Sequence, residues 1–245
     1  MMRIPDNKKY LMLIASGILV LLAAGIILKF DNSEKEIRPP TASGPIRGFT
    51  FFELGATTRF TEDIRGSLEA QLGSDVMATN TIIDLSVNDN GFLKEFFPDI
   101  HRLNLKLNDA SGARVEHNVI KLTYRYALRK NTPFYYVELV FSNYTKLPLY
   151  FLIKSKKEGA GIIDTFVTKY GAAKKIDWAG EKGSALYWKK NNDILLVSKL
   201  EDRFGFPEYH ITMYFVDNIK QLISREDKIK KEREESKKKA GKTAF

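Results

Sequence analysis

Cysteine is absent from the 245 residues, and histidine and tryptophan are scarce, at three and two. Without cysteine there are no disulfides, no thiolate metal sites, no thiol nucleophile and no lipidated cysteine behind a signal region. His101, His117 and His210 stand apart in sequence, with neither an i, i+4 pair nor an HExxH pattern to gather a metal. No serine sits in a Gly-x-Ser-x-Gly elbow. The Gly159-Ala160-Gly161 turn, with Asp177 further on, places Asp164 where a dinucleotide fingerprint needs its third glycine, so it reads as a plain turn into a helix. The acidic neighbours Glu62-Asp63 and Glu201-Asp202 read as solvated surface. No catalytic, cofactor or metal residue is assigned, and the chain is read as a non-enzyme.

Present instead is one long uncharged apolar run, residues 11–28 (LMLIASGILVLLAAGIIL). As a helix, about 18 residues at 1.5 Å each span roughly 27 Å, close to the hydrocarbon thickness of a bilayer. Tyr10 and Phe30 flank it where aromatic rings favour the interface, and Lys8, Lys9 and Lys29 can reach the headgroups. A cleaved signal fits less well, because the run continues past Ala23-Ala24 to Leu28 with no Ala-x-Ala pattern near it. The expectation is a retained single-pass anchor in membrane lipid. Gly17, Ala24 and Gly25 supply a small-residue face for self-association.

Flanking charge does not orient the anchor, since Arg3, Lys8 and Lys9 are matched by Lys29, Lys35 and Arg38. The short head, residues 1–10, suits retention in the cytoplasm, with the long remainder exported to the periplasmic side of a bacterial inner membrane. Residues 29–46 carry Pro39, Pro40, Gly44 and Pro45 and read as a linker. The soluble domain is then 47–224, with possible sub-lobes 47–156 and 157–224, followed by a charged tail, 225–245.

Within the domain, Arg47–Leu54 suits a strand, and Thr61 caps a helix carrying Ile64, Leu68 and Leu72 at steps of four, closed by Gly73. Thr79–Val87 reads as a strand, Gly91–Phe97 as a short helix halted by Pro98, and the alternating RLNLKLN of Arg102–Asn108 as another strand. Asn118–Leu128, Phe134–Ser142 and Leu147–Ile153 form a meander whose short connections demand antiparallel pairing. Its tyrosines, including Tyr124, Tyr135, Tyr136 and Tyr150, read as sheet-face residues. Gly161–Tyr170 is a second amphipathic helix closed by Gly171. Lys174–Trp178, Ala185–Lys190, Asp193–Leu200 and Glu208–Asp217 make a second meander, turning at Asn191-Asn192, and a last helix starts at Asn218. The fold class is α+β, with antiparallel meander sheets, two or three packing helices and the N-terminal transmembrane helix.

The most distinctive segment joins the last two strands: Asp202, Arg203, Phe204, Gly205, Phe206, Pro207, Glu208 and Tyr209. Three aromatics beside an arginine is the composition of interface anchors, and it makes this segment the candidate interaction site. The plain alternative has Phe204 plugging the core and Asp202 folding back on the turn.

The net charge of +9 resembles a polyanion-binding signature, but the tail from Arg225 holds nine basic and five acidic residues, an excess of four. Nucleic acid is therefore an unlikely partner. Two readings remain: a non-catalytic, anchored interaction or accessory protein of the envelope with a protein partner, or an anchored domain facing the cytoplasm whose lysine tail binds anionic lipid or nucleic acid. An anchored hydrolase or nucleotide-binding enzyme ranks behind both.

Overall fold

A computed structural model describes residues 48–88, 91–108, 114–177 and 184–243. The head, the apolar run 11–28 with Gly17, Ala24 and Gly25, and the linker 29–46 lie outside the described residues. Among the described residues no helix is long and apolar enough to cross a membrane.

The elements are α1 (Glu62–Leu72), β1 (Val76–Thr81), α2 (Phe92–Phe96), α3 (Pro98–Leu107), β2 (His117–Tyr124), β3 (Phe134–Ser142), β4 (Pro148–Ser155), α4 (Gly159–Tyr170), β5 (Lys174–Asp177), β6 (Ser184–Lys190), β7 (Asp193–Glu201), β8 (Pro207–Tyr214) and α5 (Val216–Thr243). All eight strands belong to one antiparallel sheet in the order β1-β2-β3-β4-β8-β7-β6-β5. The two meanders thus share a sheet, joined where β4 pairs with β8 from Tyr150↔Tyr214 to Ser155↔Tyr209.

Alternation along each strand divides the core into two. On one face Leu122, Leu139, Phe151, Leu195 and Met213 pack with Leu68 and Leu72 of α1 and Phe166 of α4. On the other, Val140, Tyr150, Leu196 and Tyr214 pack with Ile100 and Leu103 of α3 and Ile219 and Leu222 of α5. A sheet covered by helices on both faces buries alternate residues on opposite sides, which is why β7 is buried at six consecutive positions, Asp193 to Ser198, four of them aliphatic.

Helix α1 follows its sequence signals: the Thr61 side chain accepts from the Ile64 amide, Ile64, Leu68 and Leu72 are buried, and Gly73 ends the helix at φ 85°. Three segments differ from expectation. Residues 49–54 make a tight turn instead of a strand, with Phe52 and Glu53 at positive φ and Phe51 and Leu54 exchanging backbone hydrogen bonds. The turn buries Phe49, Phe51 and Leu54 together.

The RLNLKLN segment lies in helix α3. Leu103 and Leu107 alternate as in a strand, but with Ile100 they also fall at i, i+3 and i+7; these three are buried while Leu105 is exposed. Pro98 does not merely halt α2; it occupies the first turn of α3, where a missing N–H is harmless. The third difference is that β1 begins earlier, at Val76, and stops at Thr81. Beyond it, the backbone of residues 83–85 is satisfied by side chains in place of a ladder. Asn104 accepts from the Leu85 amide, Asn108 donates to the Ile83 carbonyl, and the Tyr214 hydroxyl donates to the Leu85 carbonyl.

The sheet has two ends of different character. The base holds the starts of β2, β4 and β7, and there Gly48 lies beside Asp193. The tip holds the β7–β8 turn, the start of β3 and the start of α4. Helix α5 starts at the base beside β8. By Glu226 it has reached the start of β2, three strand spacings or roughly 14 Å away, which about ten helical residues cover. Residues 230–240 beyond that point are exposed and still helical.

Candidate interaction surface at the tip

The β7–β8 turn is held by its first residue. The Asp202 carboxylate accepts from the amides of Phe204 (2.9 Å) and Phe206 (3.0 Å), and the Asp202 amide donates to the Phe206 carbonyl (2.8 Å). Those two amide bonds, aided by the charges of Lys156 and Arg203, hold the Asp202 pKa below its ordinary value. Gly205 supplies the left-handed residue at φ 79°. Asp202 therefore folds back on the turn, as the plain alternative expected.

The same closure turns the aromatic rings outward. Phe204 is 67% exposed and Phe206 64%, so Phe204 does not plug the core. Arg203 stacks on the Phe204 ring, its guanidinium carbon 4.6 Å from the ring centroid. Arg129 makes the same contact with Tyr126 at 4.5 Å, on the connection between β2 and β3. Of the nine large hydrophobics exposed among the described residues, six lie at this tip: Val76, Met77, Tyr126, Leu128, Phe204 and Phe206. Isolated exposed apolar residues need no explanation, but a concentration at one end of a sheet does.

Beside the turn is a cleft of about 340 Å³ walled by Leu128, Pro133, Tyr135, Phe206 and Pro207, with the charged residues Lys156, Lys157 and Glu158 also lining it. It is built by convergence: Leu128 comes from a 3-10 turn after β2, Tyr135 from a register shift at the start of β3, and Phe206 and Pro207 from the start of β8. Its uncharged walls are apolar and aromatic.

The remaining residues of the segment divide. Tyr209 is buried in the core at 6% exposure and packs on α4, where a Cβ on Gly159 would fall 2.3 Å from the Tyr209 ring. Gly159 is thus a close-packing residue. Glu208 points to a second group of polar residues that the sequence did not single out. It accepts from Tyr135 and sits 2.5 Å from His210 Nε2. Burial works against the Glu208 charge, but these two hydrogen bonds outweigh it and keep the pKa low. Burial pushes His210 the other way, below its ordinary value, and Lys154 adds to the effect. Because the Glu208 carboxylate can only accept, His210 Nε2 is the donor in this pair.

Nearby on the same sheet face, Glu138 accepts from Tyr136 (2.8 Å) and Tyr150 (2.6 Å), with Lys121 at 3.7 Å. Burial is the first cause that raises the pKa of both tyrosines, with the Glu138 carboxylate second, so both remain protonated donors. Tyr135, which lines the cleft, donates to Glu208 and so belongs to the first of the two polar groups. In sequence these residues are only period-two alternation (Tyr136/Glu138, Glu208/His210); register places them together.

His117 and His101 lie away from this surface. His117 is buried at the base, where Nδ1 is 2.6 Å from Glu226 and Nε2 is 2.7 Å from the Leu107 carbonyl. His101 is in α3. Comparison of the chain with protein-family models, curated proteins and solved structures finds no match.

Proposed function

We propose that this protein is a single-pass, membrane-anchored interaction or accessory module of a bacterial cell envelope, and that its partner protein is bound, without catalysis, at the tip. The observation that carries the reading is the pair of outward-facing rings, Phe204 and Phe206, on a turn locked by Asp202 beside an apolar cleft. A preset turn loses little conformational entropy on binding, and clustered aromatic and arginine side chains are the residues that dominate interface energetics.

The test is crosslinking and capture from membranes with the full chain, comparing wild type with the double variant Phe204→Ala, Phe206→Ala. Both side chains are exposed, so the variant should fold with stability within about 0.5 kcal/mol of wild type. Loss of specific crosslinked species supports the reading; an unchanged set from a folded variant refutes it. Orientation is tested separately with C-terminal fusions: phosphatase activity without fluorescence supports export, and fluorescence without phosphatase activity overturns it.

A further inference from the structure

The two outer strands of the sheet are unlike. Strand β5 carries Lys174 and Lys175, and lysine on an edge discourages another strand from pairing there. Strand β1, with sequence VMATNT, has no charge at all. Among the described residues no strand pairs with its outer side, and Val76 is 62% exposed. Its regular pairing to β2 runs from Val76↔Thr123 to Thr79↔Ile120 before the register shifts around Asn80, which has φ 52°. The bulge ends the edge at the base but leaves four consecutive residues with regular backbone geometry. An open, uncharged edge of this kind offers amide and carbonyl groups to an extended peptide.

Helix α5 supplies the second observation. The face that Ile219, Leu222 and Ile223 bury over the sheet continues through Glu226, which is clamped by His117 and by the Asn118 amide (3.0 Å). One turn further on, the same face carries Lys230, Arg233 and Lys237, at spacings of three and four. These three line a groove of about 810 Å³ whose other wall includes Asn80, His117 and Asn118. None of the three is ion-paired with a described residue. Glu116, Glu226 and Glu234 also border the groove and equal the three cations in number, but Glu226 is already held by His117 and the Asn118 amide, and Glu234 lies beside the cationic row without interrupting it. The row starts beside the point where the β1 edge stops.

We infer that the outer edge of β1 and the underside of α5 form one binding site for an extended acidic segment of a partner protein. The segment adds a strand along Val76–Thr79 and places its carboxylates, past Asn80, against Lys230, Arg233 and Lys237. Val76 and Met77 lie at the tip end of β1, but the site does not include the β7–β8 turn or its cleft, and it stands whether or not these bind a partner.

The probe is the peptide EETVTVTEE, acetylated, amidated and fluorescently labelled. Its acidic ends serve either strand direction. It is titrated into the full chain in non-ionic detergent and followed by anisotropy, with amide hydrogen exchange read at residues 76–79. Saturable binding with slowed exchange at β1 is expected. The charge-swapped peptide KKTVTVTKK should bind at least tenfold more weakly, as should a peptide N-methylated at two adjacent central residues, which lacks donors on both edges. The triple variant K230E/R233E/K237E, altered only at solvent-facing helix positions, should lose at least tenfold for the acidic peptide and gain for the basic one. Equal affinity for all three peptides, binding without protection of β1, or indifference to the triple reversal overturns the proposal. So does concentration-dependent protection of β1 in the peptide-free chain, which would assign the edge to a second copy.

Discussion

Asp193 offers the sharpest test of the fold's energetics. It is the first residue of β7, 8% exposed, and its carboxylate accepts from the amide of Val216, the first residue of α5. A carboxylate at a helix N-terminus is ordinarily favoured, yet here burial dominates, the charge of Asp217 adds to it, and the Val216 bond only partly compensates. The pKa is pushed up from 3.8 to about 6. The folded state then holds its proton more tightly than the unfolded chain. The resulting stability is fully present below about pH 3.8 and is lost as the pH rises through about 6. A shift of about two units corresponds to roughly 3 kcal/mol at neutral pH.

Asp193→Asn keeps an oxygen for the Val216 amide and removes the charge. Some charge–dipole attraction is lost with it, about 0.3–1 kcal/mol, so the net expectation is a variant more stable than wild type by roughly 2 kcal/mol at pH 7.5. For a domain of this size that is a rise in Tm of roughly 4–8 °C. Thermal melts followed by tryptophan fluorescence, at intervals from pH 4 to 8, compare the two proteins. They should converge toward the acid end, and the decline in stability between pH 4 and 6.5 should be shallower in the variant. A variant less stable than wild type at pH 7.5, or one that keeps the wild-type slope, would refute the assignment of a buried, uncompensated charge.

Other consequences follow from named contacts. Gly159→Ala forces a Cβ to within 2.3 Å of the Tyr209 ring, and displacing a ring fixed in the core should destabilise by about 1–3 kcal/mol in urea unfolding, whereas Gly161→Ala, with open space around it, should be neutral or stabilising. Thr61→Ala removes the cap on the Ile64 amide and should lower stability by about 1 kcal/mol by the same measurement. Burial opposes a charge on His117, but its bonds to Glu226 and the Leu107 carbonyl outweigh burial and raise its pKa above 6.5. Its contribution is therefore complete below pH 6.5 and fades as the pH rises through the higher folded value. Exchange of the Asn118 amide, held by Glu226, should accelerate over that range beyond the intrinsic pH effect, and in His117→Gln that additional dependence should disappear.

What the sequence disclosed and what it hid divide along the range of the interactions involved. Helix α1 was legible because its cap, its stripe and its terminal glycine all lie within 13 residues and agree. Strand β3 was legible to the residue because six of its nine residues are aromatic or β-branched, between short polar breaks. Helix α3 was not, because Leu103, Leu105 and Leu107 satisfy a period of two as well as Ile100, Leu103 and Leu107 satisfy a helix, and only the sheet beneath decides between them. Residues 82–87 were misread for a related reason: Asn104 and Asn108, about twenty residues away, supply the partners that a ladder would have supplied. The segment Asp202–Tyr209 was legible as a turn rich in aromatics. Which rings face outward was not, since that depends on Asp202 closing over the amides of Phe204 and Phe206 while Gly159 leaves room for Tyr209.

Helix followed by meander occurs twice in the sequence, and the structure places α1 and α4 on the same face of one sheet, with β4 antiparallel to β8 at its centre. Two such units related by a two-fold axis normal to the sheet would give this strand order and this helix placement. What breaks the correspondence lies on the other face. The first unit carries α2 and α3 between its first two strands, where the second has a short connection, and α5 crosses from the second unit to clamp the first at His117. That crossing explains why a segment so rich in lysine and glutamate is helical at all. Nucleation is the costly step for an isolated helix, and here Val216, Ile219, Leu222 and Ile223 nucleate it by packing, so the exposed turns need only propagate. The overhang beyond Glu226 thus takes its direction from the core, and its cationic residues line a groove together with Asn80, near the base end of β1.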